Sequence, residues 1–219
     1  MFKGVMTNFI PIFPLGVVVY PGESLNLHIF EPRYKQLISE CYADAKPFGI
    51  PPVIDGKVNE MGTLVKITAI VNKTDNGEMD IKTQGISIFR ILEVIKKVPD
   101  KLYSGAIVNY PENNTDLQTS QAISKVLNAL RQLHKLLKIE KDFKKPDEEI
   151  TSYDIAHHSG LSLQEEYELL GLLREDQRQE YLKRHLSKVL PVIAEMETLK
   201  KRVKLNGHFK NLSSFDFEQ

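Results

Sequence analysis

Few residues in this chain are of the types that carry chemistry. Cys41 is the one cysteine among 219 residues, so no internal disulfide or thiolate cluster can form. A nucleophilic thiol needs a base beside it and a lowered pKa. The spacing places Cys41 instead on an apolar helical stripe with Tyr34, Leu37, Ile38 and Ala45, where a free thiol packs as a small hydrophobe. His157 and His158 are the only adjacent histidines. Neighbours on a helix point about 100° apart, whereas zinc motifs use i, i+3 or i, i+4 spacing. Asp154 and His158 have that spacing, but two ligands do not make a site. No metal or cofactor is expected.

Nucleotide and hydrolase motifs fail in the same way. A phosphate cradle of the GxxxxGK[ST] type needs clustered glycines followed by a lysine. Gly49, Gly56, Gly62, Gly77 and Gly85 are scattered at strand ends instead. No GxSxG elbow occurs. The pairs Glu148-Glu149 and Glu165-Glu166 read as solvated helix starts. The run LKKRVK (199–204) suits a helix C-terminus, where positive charge is favourable. The chain therefore reads as a binding protein and not as an enzyme.

Composition narrows the partners. Hydrophobic residues make up 42% and charged residues 26%, enough to build and solvate a core. Lys+Arg and Asp+Glu each total 29, and residues 1–113 carry 12 of each sign. Neither half is basic, so a nucleic-acid partner is disfavoured. Prolines interrupt the apolar run near the N-terminus, unlike a signal peptide. No stretch reaches the ~18 apolar residues of a membrane span. A cytoplasmic protein without membrane contact is expected.

The elements that position these residues fall into two halves, 1–113 and 114–219. In the first, TLVKITAIVNK (63–73) alternates as a strand. Asn76-Gly77 supplies positive φ for a tight turn, and MDIKTQG (79–85) returns as the partner. Residues 86–98 and 102–111 read as two more strands, with Ile86, Ile88 and Arg90 on one face and Phe89 and Ile91 on the other. One helix, 31–45, interrupts them, with Pro32 at its first position and Glu31 drawn to its free N–H groups. After the linker PENNTD (111–116) the period becomes helical. Ile123, Leu127, Leu130, Leu133 and Leu137 mark one helix, followed by a polar break at 142–149. A short helix spans Tyr153–His158, capped by Thr151 and stopped by Gly160. Ser162 and Glu165 open another with a capping box. The last helix, about 176–203, carries a near-heptad stripe of Leu182, Leu186, Val189, Ile193, Met196, Leu199 and Val203. Pro191 inside it predicts a kink. The tail 211–219 is expected to fray.

The segment PIFPLGVVVYPGESLNLHIFEPRY (11–34) has a further reading. It resembles the start of the N-terminal, substrate-binding domain of the Lon proteases. The match rests on Pro11, Phe13, Pro14, Leu15, Pro21, Gly22, Leu25, Leu27, Ile29, Phe30, Glu31, Pro32, Arg33 and Tyr34. Phe48-Gly49-Ile50, Met61-Gly62-Thr63, the Asn76-Gly77 turn and GISIFRI (85–91, with Gly85 and Arg90) continue it in order. The stretch YDIAHHSG to KRHL (153–186), including the aspartate before Gln177-Arg178, is similar to the family's helical part.

This resemblance implies an α+β protein. A PUA-like β pseudo-barrel with one inserted helix comes first, then a helical bundle ending in a long kinked helix. In such a fold, prolines sit at strand starts, edges and bulges. It further implies a non-catalytic module that binds unfolded or apolar protein segments in a groove between barrel and bundle. Phe48, Ile50, Pro51, Pro52 and Val53 are the candidate binding residues, as an exposed apolar segment. A separate ATP-dependent protease is the implied further partner, with RNA binding and pure adaptor docking as rivals. No Walker A lysine or serine–lysine catalytic region is present, so the chain is not expected to be a Lon protease itself. Pro51-Pro52 should shorten the Phe48 strand, and Ile88 stands where the family often has arginine.

Overall fold

A computed structural model describes residues 8–115, 121–143 and 145–209. The expected fraying of 211–219 lies outside them, as does Asp116 of the linker. The first half contains β1 (Asn8–Pro11), β2 (Ser24–Ile29), α1 (Pro32–Ala43), β3 (Phe48–Ile50), β4 (Val53–Ile54), β5 (Lys57–Val58), β6 (Met61–Lys73), β7 (Met79–Ile95) and β8 (Gly105–Asn109). The second contains α2 (Gln121–Leu137), α3 (Ser152–Ile155), α4 (Leu163–Gly171) and α5 (Glu175–Phe209), with single 3-10 turns at Asp147–Glu149 and Ala156–His158.

An antiparallel sheet in the order β1-β8-β7-β6-β3 organises the first half, and β2 also pairs with β7. The 17-residue β7 is its spine. It lies against β6 on one side and, in succession, β2 and β8 on the other. The sequence suggested two strands here, 79–85 and 86–98. The chain makes one, because a bulge absorbs Ile86: Gly85 pairs with Val65 and Ser87 with Leu64. That bulge leaves Ile86 exposed while Ile88 is buried. The β6–β7 turn also differs from expectation. Gly77 has φ of 79°, but Asn76 is not left-handed. Thr74 and Glu78 close a three-residue loop with glycine in the left-handed position.

The sheet is not a closed barrel of ladders. Beyond β1 and β3, two isolated parallel bridges, Ile12–Gly49 and Leu15–Pro52, link its two ends. The apolar run at 16–20 joins no ladder, yet Val18, Val19 and Tyr20 are buried. Helix α1 buries Tyr34, Leu37, Ile38 and Cys41 as the stripe requires. It ends before Ala45, which is exposed and left-handed. Burial pushes the Cys41 thiol up to about 11, the opposite of an activated nucleophile.

The expected Ser162–Glu165 capping box forms in the helical half, and the expected Thr151 cap proves to be a second box, with Asp154. Helix α5 continues through Pro191. Its single expected stripe divides: Leu182 and Leu186 are fully buried, while Met196, Leu199 and Val203 are exposed. A seven-residue repeat drifts about 20° per heptad on a straight helix, so the stripe winds off the packed face.

One apolar core joins the two halves. Val18, Tyr20, Met61 and Ile88 pack with Val126, Leu130, Ile155, Leu169 and Leu186 of the helices. The Tyr20 hydroxyl donates to the Glu166 carbonyl (3.1 Å) and the Met61 N–H donates to the Tyr167 hydroxyl (3.3 Å). His157 completes the junction, donating from Nδ1 to Glu166 (2.7 Å) and from Nε2 to Glu23 (3.1 Å). The groove expected between barrel and bundle is, at these residues, filled core.

Arg178 ties the linker to the bundle. Fully buried, it pairs with Glu175 (2.9 Å) and donates to the Leu172 and Asn114 carbonyls (2.6 and 2.9 Å), Asn113 Oδ1 (3.0 Å) and Ser152 Oγ (2.9 Å). Its guanidinium lies 4.2 Å from the Tyr153 ring centre.

Arg178→Ala leaves Glu175 buried and without its cation. A loss of about 3–5 kcal/mol is expected, measured by urea unfolding. His157 gives a pH-dependent prediction. Burial alone would lower its pKa, but the Glu166 and Glu23 carboxylates outweigh that and push it up to about 10. A folded pKa above the unfolded value of ~6.5 stabilises the charged, folded form. The contribution is complete below pH ~6.5 and is lost as pH rises through about 10. The gap between wild type and His157→Gln in urea midpoint should therefore narrow steadily over that window. A gap that stays constant across it contradicts the pairing.

Candidate functional site

The opening segment is built from turns and contacts that hold β2 in place. Pro21 and Gly22 occupy the centre of a turn closed by the Glu23 N–H donating to the Tyr20 carbonyl (3.1 Å). Gly22 has φ of 85°, which a type II turn requires at that position. The Glu23 carboxylate accepts the Tyr20 N–H (2.8 Å). Gly85 of β7 passes so close to this turn that a Cβ there would run into the Tyr20 carbonyl. After β2, Pro32 starts α1 with no side-chain cap. Glu31 bonds Arg33 (2.7 Å) in place of the helix N–H groups. Arg33 lies 4.5 Å from the Tyr34 ring centre, and Tyr34 stacks on Phe13 at 3.8 Å.

Of the other signature residues, Pro14, Leu15, Gly49 and Gly62 pack within the sheet half. Pro14 is half-buried, and Leu15 accepts the Val53 N–H (2.7 Å). Gly49 and Gly62 leave room for the Phe89 ring. Arg90 is exposed, its Nε 3.4 Å from Met61 Sδ.

The candidate binding segment is placed differently from expectation. Phe48 and Ile50 are fully buried against α1, Pro51 and Pro52 are buried, and Val53 is half-buried. Pro51 and Pro52 end β3 after three residues, as their chemistry predicted. They do so inside the fold, however, where Pro52 bridges to Leu15 and its carbonyl accepts the Asn59 N–H (2.9 Å). The β4–β5 hairpin turn uses Asp55 and Gly56, both left-handed. The apolar surface expected at 48–53 is therefore absent from the outside of the molecule.

An accessible apolar feature lies at the other end of the sheet. Asn26, Leu27 and His28 of β2, Val71 of β6, and Asp80, Ile81 and Lys82 of β7 line a shallow concavity of about 380 Å³. Val71 and Phe30 are 60% and 58% exposed. The Phe30 and His28 rings lie 6.0 Å apart. His28 is held by Asp80 (2.8 Å), and that hydrogen bond keeps the Asp80 carboxyl below the usual range.

This concavity borders an unpaired strand edge. Among the described residues β2 pairs only with β7. The Gly85 N–H donates to the Glu23 carbonyl, which fixes the parity of the ladder: Leu25 and Leu27 turn their backbone groups toward β7. Asn26 and His28 turn theirs outward. Natural edges are usually blunted by lysine, proline or a bulge. Within Ser24–Ile29 none of the three occurs. The alternation of Leu25, Leu27 and Ile29 was readable from sequence. That β2 lies outermost was not, since its one neighbour is more than fifty residues away.

Such an edge can hydrogen-bond an extended chain and offer apolar side chains to it. It has no reacting group. Among the described residues, no cluster of three or more His, Cys, Asp or Glu is placed to hold a metal. No described helix is long and apolar enough to cross a membrane.

Comparison with known proteins agrees with this architecture. A Lon N-terminal domain protein from Xanthomonas campestris superposes with a TM-score of 0.57 at 22% identity, covering 84% of this chain and 98% of the other. The N-terminal domain of a Mycobacterium avium complex Lon protease gives 0.57 at 14% identity, with 82% and 98% covered. A search of curated proteins returned no match. The family described as the ATP-dependent protease La (LON) substrate-binding domain matches residues 10–188. With a mixed fold of antiparallel sheet and C-terminal helices, and a match over most of its length, the chain belongs to the LON substrate-binding domain family.

Proposed function

We propose that this protein recognises unfolded or apolar segments of other proteins and performs no bond chemistry itself. In this reading the curled sheet is a pseudo-barrel of the PUA-like kind, its ends joined by the Ile12–Gly49 and Leu15–Pro52 bridges. A client strand adds to the outer edge of β2 and lays a side chain beside Phe30 and Val71. The unblocked β2 edge carries the proposal. An unfolded chain has the same backbone groups unsatisfied, and a folded protein does not. The bound client passes to a separate ATP-dependent protease.

The magnitudes suit transient capture. A six-residue edge spans roughly 20 Å. Burying ~300 Å² of apolar surface at ~25 cal/mol/Å² yields several kcal/mol before the costs of association. Those costs bring the affinity to the micromolar range.

The test is binding of an unfolded model client against a folded control, by fluorescence anisotropy. Micromolar binding of the unfolded form alone is expected. Equal binding of both forms rejects the recognition role. Asn26→Pro removes an outward N–H, and Phe30→Ser removes an apolar contact. Each should weaken client binding about fivefold to tenfold. Full client binding by both variants keeps the role but rejects this edge as its site.

A further inference from the structure

The distal part of α5 carries an apolar stripe that the fold does not use. Val192, Met196, Leu199 and Val203 are 56%, 50%, 59% and 63% exposed. Their spacing of four, three and four residues is that of a coiled-coil seam. At about 100° per residue, all four fall within a narrow strip of helix surface. Further back, the same strip passes under the bundle, where His185 donates to the Ser159 carbonyl (3.1 Å) and Tyr181 donates to Glu168 (2.9 Å). The stripe is thus the part of this face that the bundle leaves uncovered.

Charges beside this seam indicate what covers it. Glu195 and Arg202 occupy equivalent flanking positions one heptad apart. Neither has an ion-pair partner among the described residues, whereas nearby Glu197 is paired with Lys200 (2.6 Å). Consider two copies of the helix laid antiparallel, with their axis of symmetry between Glu197 and Thr198. Val192 then meets the second copy's Val203, and Met196 meets its Leu199. The same register sets Glu195 of each copy against Arg202 of the other, giving two ion pairs.

We propose that the exposed α5 stripe is a self-association surface, through which two copies of this chain pair as a short antiparallel coiled coil. The proposal is independent of the client-binding reading. Four apolar layers cover well under the ~800 Å² per partner of a stable interface. The dimer is therefore weak, with a dissociation constant on the order of 10–100 µM.

Sedimentation velocity of the full chain between 1 and 500 µM tests this. A reversible monomer–dimer equilibrium is expected, and Leu199→Glu should abolish it. Glu195→Arg or Arg202→Glu alone sets like charges together and should weaken dimerisation about tenfold. The double variant should restore it. Circular dichroism of each variant, all of them changed at exposed positions, confirms that the fold is kept. Orientation is read by mixing Met196→Cys with Leu199→Cys under mild oxidation. The mixed disulfide is expected, since Cys41 is buried. A monomer at every concentration overturns the proposal, as does a dimer indifferent to Leu199→Glu. A Met196→Cys homodisulfide in preference to the mixed one overturns the antiparallel register. A monomeric protein whose Leu199→Glu variant loses unfolded-client binding assigns the stripe to clients instead.

Discussion

The arrangement of the helical half depends on one buried cation. Arg178 has no access to water, and a guanidinium in that position is tolerated only when its donors are satisfied and its charge is matched. Its partners come from four separate stretches: Asn113 and Asn114 in the linker, Ser152 at the start of α3, Leu172 after α4, and Glu175 in the first turn of α5. Each group alone is a loop or helix-end residue with loose preferences. Together they define where the chain leaves the sheet and where three helices begin or end. Glu175 is fixed in turn by the Ser152 N–H and hydroxyl and by Gln179. A network so completely satisfied specifies one arrangement, because any other strands a charge in the interior.

The sheet then has to meet that bundle, and it does so through the opening segment. Tyr20 sits beyond the last bend before β2, stacked 5.0 Å from Tyr153 and bonded to the Glu166 carbonyl. Its neighbour in the turn, Glu23, reaches His157. The residues that set the entry angle of β2 are thus the ones that grip the helices. This explains why the apolar run before β2 forms no ladder. Tyr20 opens the turn, Val18 and Tyr20 complete a core made mainly by α2, α4 and α5, and Val19 packs with α1.

Local chemistry was legible in the sequence and long-range placement was not. The Thr151 cap, the Ser162 capping box, the Pro32 helix start and the Cys41 stripe follow from interactions within a few residues, and each formed. The two expected strands within 79–98 are one, because whether a strand bends or breaks at Ile86 depends on a bulge that only the partner strand defines. Phe48, Ile50, Pro51 and Pro52 have the composition of a sticky surface and also of a core. Composition cannot tell these apart, and packing against α1 and the opening segment decided for the core at Phe48 and Ile50. Arg178 was visible as part of a family pattern, but nothing local marks a buried arginine, since arginines are usually exposed.

The prolines of the first segment acquire a specific meaning from this geometry. An exposed strand edge invites pairing with any extended chain, including other copies of the same strand. Most folds suppress this along the whole edge. Here proline stands outside β2 at both ends, at Pro21 and Pro32, and never within it. Pairing is therefore permitted over the length of Ser24–Ile29 and blocked beyond it. A long edge of this kind promotes runaway aggregation, and a fully blocked edge binds nothing. A short edge held rigidly between a glycine turn and a helix start does neither, and in the proposed reading it captures one strand at a time.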